Sequence, residues 1–443
     1  MRRMQIGRNS RRIGVIMLFA YGTVVGFAQQ GATHEDFKYE RSSLYSIMIK
    51  HDKNKYADTM ESVFMATPTS SHFFDHSLNV HTISFNPKKD ASNQEKNLTY
   101  FCEREQLAKR LVSKWFGFRR ANGCFNVDLV KERGLYNATA LDMEMAEKST
   151  RGRAMLEDAG ENLIKNTYVV FHDIRHIDKG KGWNIAKWVG VGLLSGVTAT
   201  AAGFASAAVS SASSTLTNTL SSTSNIISSA SNSISKLTQL GIALNIKSFQ
   251  VRVTSYLYRL KWDDDVAGQF FSEYYTDNTE KDADKVLAYL TDNHLFQMEY
   301  VGKTTYSSTK SEISTHGVNT NEALVLKACT RAYDKALANL QHKYPEFRVK
   351  APLLSIEPLT AAVGMKEDVT EKSRYEVLER VEGKNGKVSY RRVGIIKPAK
   401  DKIWDNRFMA VEESARNADL NFTTFVKVSG GDFYPGMLIR EMK

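Results

Sequence analysis

The sequence predicts an α+β fold: a mixed sheet with packed helices, an inserted uncharged helical hairpin, and a small C-terminal antiparallel β barrel or sandwich. Three observations predict it. Two apolar, β-branched and aromatic stretches, Tyr168–Ile174 and Phe249–Trp262, stand among segments with helical spacing. Between them, Trp188–Ser235 runs for 48 residues without a charge. Beyond Tyr344-Pro345 the pattern becomes strand-rich. The expected organisation is a signal peptide at 1–28, a first α+β part at 29–181, a Gly/Ala/Ser-rich helical insert at 182–245, a second α+β part at 246–345, and a β domain at 346–443.

Arg2, Arg3, Arg8, Arg11 and Arg12 precede an apolar run from Ile13 to Phe27, and Gly26 and Ala28 supply the small residues of a cleavage site. This pattern predicts export with cleavage after Ala28. Lys55–Met65 then reads as a short helix, Val80–Phe85 as a strand, Tyr100–Trp115 as one helix through Phe101, Leu107, Leu111 and Trp115, and Met143–Ile164 as a charged helix. In Phe249–Trp262, the same-face pairs Val251/Val253 and Tyr256/Tyr258 are out of phase, which predicts a bulge or a change of burial between them. Ala267–Tyr275 and Lys281–Thr291 read as helices, Leu295–Thr305 as a strand and Asn321–Lys343 as a long helix. In the last hundred residues, Tyr375–Val381 and Val388–Ile395 flank Gly383-Lys384-Asn385-Gly386, a hairpin signal, and Pro435-Gly436 marks a turn before Met437–Ile439.

Composition narrows the classes. With 42% hydrophobic and 25% charged residues, wholesale disorder and a polytopic membrane protein are excluded. The net charge is +11, but five arginines and no acid lie in residues 1–28, so cleavage there leaves +6 and argues against a nucleic-acid partner. Three cysteines exclude a disulfide-dense scaffold; in an oxidising compartment Cys102 and Cys124 could pair, leaving Cys329 as a buried thiol.

The uncharged segment opens with Trp188, and Gly192 and Gly196 form a GxxxG spacing that lets helices approach closely. Further on, Leu216, Leu220, Thr223, Ile227, Ala230, Ile234 and Leu237 step by four and three, a heptad seam. Trp188, Gly192, Gly196, Leu216, Leu220, Ile227, Ile234 and Leu237 are therefore the candidate contacts to a protein partner, a second copy or a membrane surface. Three readings stay open: a surface hairpin packing on its own domain or on another copy, a flexible linker, and membrane contact. Lys179, Lys181 and Lys187 with Trp183 and Trp188 place interfacial anchor types at one end, whereas Gly, Ser, Thr and Ala contribute little transfer energy.

The search for chemistry finds no GxSxG, HExxH or GxxxxGK[ST] and no CxxC. Two histidine clusters remain, His72, His76 and His81 with Asp75, and His172 and His176 with Asp173 and Asp178. His72, His76, His172 and His176 could ligate a metal if the fold joined the clusters, but scattered polar groups at element ends explain the spacing as well. Asp263-Asp264-Asp265 reads as a turn capping a helix, and Tyr256, Tyr258, Tyr274 and Tyr275 either line a glycan-binding face or pack in a core. No cofactor is implied.

The stretches NTYVVFHDI, VRVTSYLYRLKWDD, AAVGMKEDVTEKSRYEVLERV, RRVGIIKP and FYPGMLIRE, with the insert opened by Lys181-Gly182-Trp183, resemble a group of uncharacterised exported proteins of Bacteroidota. That resemblance covers about half the chain. It implies localisation and architecture and carries no catalytic residue. The functional expectation is a non-enzymatic interaction or assembly module of the cell envelope, located in the periplasm or on the periplasmic face of the outer membrane. The alternatives are a metal-dependent hydrolase using the histidine clusters and a glycan-binding module.

Overall fold

The computed structural model describes residues 42–130 apart from 53, 55, 68–72, 76–77, 79 and 85–93; residues 163–177; 249–308 apart from 279 and 293; 321–382 apart from 349; 388–411; and 417–442 apart from 418. All of these belong to one compact unit, Thr33–Lys443.

The elements follow in chain order: β1 (Ser43–Lys50), α1 (Ala57–Ala66), β2 (Phe74–Asp75), β3 (Thr82–Ser84), α2 (Gln94–Arg104), α3 (Leu107–Trp115) and β4 (Thr167–His176). After β4 come β5 (Val251–Leu260), α4 (Asp264–Gln269), α5 (Ala283–Thr291), β6 (Met298–Ser307) and α6 (Asn321–Lys343). The C-terminal strands are β7 (Ala351–Ile356), β8 (Leu359–Ala361), β9 (Tyr375–Glu382), β10 (Val388–Pro398), β11 (Thr423–Gly430) and β12 (Leu438–Glu441).

The first sheet is mixed, as expected. Its strand order is β2-β1-β4-β5-β6, with β3 also pairing β1; β1 runs parallel to β2, β3 and β4, and the β4–β5 and β5–β6 pairs are antiparallel. Helices cover both faces. Ile47, Val169, Phe171, Tyr256 and Tyr258 meet α2–α5 through Leu98, Leu111, Trp115, Phe270 and Tyr289. Met48, Ile174, Val251 and Val253 meet α1 and α6 through Val63, Phe64, Val325 and Cys329. A sheet buried on both sides needs continuous apolar runs rather than alternation, which is why β4 is buried from Thr167 to Ile174. The phase conflict in Phe249–Trp262 resolves the same way: Val251 and Val253 face α6, Tyr256 and Tyr258 face α2–α5, and the pairing irregularity with β6 falls at Leu257/Tyr258. Nearby, Gly302 leaves no room for a side chain, because a Cβ there would collide with the Tyr344 ring.

The single helix expected over Tyr100–Trp115 is two. α2 ends at Arg104, and Gln106 adopts a left-handed backbone (φ 50°) before α3. The break lets Leu98 and Phe101 on one side, and Leu107, Leu111 and Trp115 on the other, all reach the same core. Ala267–Tyr275 likewise divides: Asp263 Oδ1 accepts from Val266 N at 2.9 Å, the expected cap, and α4 widens into a π-turn over Phe270–Tyr274 that buries both of those aromatic ends. The first three turns of α6, Ala323–Tyr333, are buried on every side.

The second sheet has six antiparallel strands whose pairings run β10-β11-β8-β7-β12-β9 and return to β10. Leu353, Val377, Ile396, Phe425 and Ile439 fill its interior. Gly436 supplies the positive φ (88°) of the expected turn before β12.

Candidate functional site

Two places gather the groups that sequence reasoning singled out, and a third gathers groups that it missed. The first is the end of the mixed sheet where β4 stops and β5 begins. These strands are antiparallel neighbours whose ladder reaches His176 opposite Val251. One step beyond, Ile177 N donates to Gln250 O at 2.8 Å. Phe249 is fully buried, and its ring lies 4.9 Å from that of His176, which stands 5.0 Å edge-on from Tyr56. Ser308 N donates to Val251 O and Ser308 Oγ accepts from Val251 N, both at 2.9 Å, so β6 is tied to the same spot. The candidate contacts Trp188, Gly192, Gly196, Leu216, Leu220, Ile227, Ile234 and Leu237 lie outside the described residues. Among the described residues no helix is long and apolar enough to cross a membrane.

The second place is the middle of β4. Its adjacent residues His172 and Asp173 point to opposite faces. His172 is buried between Phe64 and Tyr333, with Nδ1 2.8 Å from Ser255 Oγ. Burial lowers its pKa to about 3, so the imidazole is neutral. Ser255 is itself inaccessible, so this Ser–His contact is a satisfied pair in the core and not a nucleophile with its base. On the other face, Asp173 Oδ1 lies 2.7 Å from His51 Nε2 and accepts from Arg175 Nε at 3.0 Å, while Oδ2 accepts from Arg175 Nη2 at 2.8 Å. Burial would raise the Asp173 carboxyl, but these donors outweigh it and hold its pKa low. The cluster pins the end of β1 to β4.

His176 shares the His172 face but stacks on Phe249. His72 and His76 lie outside the described residues. Among the described residues no three His, Cys, Asp or Glu side chains converge as a metal site. Cys102 and Cys124, considered as a disulfide, are free thiols here, as is Cys329; Cys102 is buried on α2, and Cys124 Sγ lies 3.4 Å from Asn122 O. Burial raises the thiol pKa of Cys102 and of Cys329. Tyr256, Tyr258 and Tyr274 are buried in the core, so the packing role considered for them is the one the structure gives, and they offer no stacking face to a sugar.

The third place is a cleft of about 470 Å³ between α6 and the turn Met365–Glu371. Lys366 Nζ lies 3.4 Å from Asp334 Oδ1, Lys335 pairs with Asp368, and His342 Nε2 is 2.7 Å from Glu441 Oε2 with Nδ1 3.7 Å from Asp368 Oδ2. Burial raises the Asp334 carboxyl, whose charge in turn raises the Lys366 ammonium. The bond to Glu441 raises His342. Arg331 Nε donates to Phe408 O at 2.9 Å. Charge is matched against charge across this seam, and the described lining offers no nucleophile poised beside a base. A sequence signal existed: the spacing of Arg331, Asp334, Lys335 and His342 puts all four on one face of the helix.

Compared with known proteins, the chain matches no family model and no curated relative.

Proposed function

We propose that this chain is an exported, non-catalytic interaction or assembly module of the bacterial cell envelope. In this reading the segment 182–245 carries an uncharged helical hairpin presented by the α+β body to a protein partner, to another copy or to a membrane surface. The body acts in the periplasm or on the periplasmic face of the outer membrane.

One observation carries the reading: Ile177 donates to Gln250, so both feet of the intervening segment stand on neighbouring strands one hydrogen bond apart. Among the described residues the β4–β5 ladder runs unbroken from Tyr168–Arg259 to His176–Val251. Within the body, His172 is held by Ser255 and Asp173 by Arg175. A large apolar surface carried on such a stalk requires a covering partner in water.

The experiment joins Asp178 to Phe249 through Asn-Gly, a two-residue turn suited to an antiparallel pair. The shortened chain keeps its circular dichroism and melting temperature, and loses the sedimentation behaviour and membrane fractionation of the full mature chain. A shortened chain that sediments and fractionates like the full one overturns the proposal, as does one that cannot fold. Export is checked separately: the protein recovered from the cell envelope begins at Gln29, and an uncleaved cytosolic chain overturns that part.

A further inference from the structure

The C-terminal sheet and the α+β body keep separate cores. Among the described residues, the core of the sheet draws only on residues from Ala351 onward. The clusters of the body draw on residues up to Phe347, and from the chain beyond it only Met409 and the partly buried Phe408 join them. Both lie between β10 and β11 and pack in the cluster that α6 shares with α1. Polar contacts make up much of the rest of the seam. Lys366 Nζ is 3.4 Å from Asp334 Oδ1, Lys335 pairs with Asp368, and Arg331 Nε donates to Phe408 O at 2.9 Å. A seam of this composition lets two modules part without opening either core.

His342 stands at the end of this seam, in the last turn of α6, where the helix carbonyls favour a cation. Its Nε2 is 2.7 Å from Glu441 Oε2 at the end of β12, and its Nδ1 is 3.7 Å from Asp368 Oδ2 in the turn after β8. Lys335, two turns earlier on the same helix face, shares Asp368. The other charged groups around it are spent elsewhere. Arg348 donates to the carbonyls of Gln341, His342 and Glu441. Lys343 Nζ donates to Lys303 O, and Glu367 accepts from Gly364 N and Asn406 Nδ2. Tyr375, opposite Glu441 on β9, stays protonated, because burial and the carboxylates of Glu441, Glu367 and Asp368 raise its pKa. A charged His342 therefore completes a balance of two cations and two carboxylates. A neutral one leaves Glu441 and Asp368 with the Lys335 ammonium alone.

We infer that the seam between α6 and the C-terminal sheet is a latch closed by the proton on His342: a charged imidazole holds Glu441 and Asp368, and with them the sheet, against α6, and a neutral one lets the sheet and its Met409 segment lift from the helix. Docking favours the charged imidazole, because the Glu441 carboxylate raises its pKa. Below pH 6.5 His342 is charged whether the sheet is docked or not, and the latch is shut. As pH rises through the raised value the proton leaves and the latch opens. The opening constant grows by about tenfold for each unit by which docking raises that pKa. The latch uses none of the residues of the insert, so its failure leaves the function proposed above untouched.

The test is hydroxyl-radical footprinting of the full mature chain from pH 5 to 9, read at four methionines. Met409 is 8% exposed and shielded against α6, Met437 is buried in the C-terminal sheet and Met48 in the body, while Met65, 52% exposed, normalises the dose. Oxidation of Met409 relative to Met65 is expected to climb by about threefold or more with pH, while Met437 and Met48 stay protected. His342→Gln is expected to leave Met409 as reactive at pH 5 as the parent is at pH 9. His342→Lys, charged throughout, is expected to keep it shielded at pH 9, and Glu441→Gln to move the midpoint down. Equal shielding of Met409 at pH 5 and pH 9 overturns the inference, as does an unchanged pH response in His342→Gln. So does a joint rise of Met437, which would mean that the sheet melts instead of parting from α6.

Discussion

In the mixed sheet, β4 turns eight consecutive residues away from solvent; in the C-terminal sheet, β11 leaves its last five exposed. The first strand is covered on both faces by helices, whereas the second buries only one face, through Thr423 and Phe425, in the interior of its own sheet. Double cover makes every side chain a packing problem and every polar group a hydrogen-bonding obligation, which β4 meets with Ser255 for His172 and with His51 and Arg175 for Asp173. Single cover leaves charges in water, where a pair such as Arg391–Glu379 adds little stability and the outer face remains free to meet a partner.

The sharpest way to break this comparison is a pair of truncations. Phe171→Ala in β4 should destabilise the chain by about 3–5 kcal/mol in urea unfolding, because the ring is fully buried against Phe101 and Tyr258. Val428→Ala in β11 should stay within about 0.5 kcal/mol. Similar losses would erase the distinction. Next in size, Asp173→Ala should cost about 2 kcal/mol, less than a fully buried pair, because Arg175 is 47% exposed and regains water.

Two histidines carry the contrast into pH. His172 has a folded pKa of about 3 against 6.5 when unfolded, so below 6.5 the unfolded chain binds the extra proton. Stability should therefore fall as pH drops from 6.5, with a slope approaching about 1.4 kcal/mol per pH unit, and His172→Gln should remove that slope. His342 works in the opposite sense. Its folded pKa is raised above 6.5 by Glu441, so its contribution is full below 6.5 and is lost as pH rises through the raised value. His342→Gln should thus lower the melting temperature in acid, by a smaller amount, and leave it unchanged in alkali. Melting curves of both variants from pH 5 to 9 check the two signs together.

The same division explains what could be read in the sequence. α6 matches its expected span of Asn321–Lys343 because Tyr344-Pro345 stops a long apolar run, and β4 and β5 declare themselves through β-branched and aromatic residues that a doubly covered sheet demands. The break between α2 and α3 has no Gly or Pro to announce it; Gln106 takes its left-handed conformation because two helix faces must reach one core. β8, with three residues, is too short for any period, and β7 carries Pro352. Of the candidate site residues, the histidines on β4 were visible as types, but only the fold shows that His172 faces α6 while Asp173 faces away. The seam residues Lys366, Asp368 and Glu441 come from turns and strand ends far along the chain, so no local pattern could place them against α6.

The bond between Ile177 and Gln250 has one more effect, on how the chain can vary over time. Closing a loop on fixed feet adds only about 0.6 kcal/mol for each doubling of its length. The residues between those feet can therefore lengthen, shorten or drift in composition with hardly any penalty to the body, while Phe249, Gln250 and His176 cannot. In related sequences the anchoring residues should stay fixed, and the intervening stretch should differ in size from one to the next.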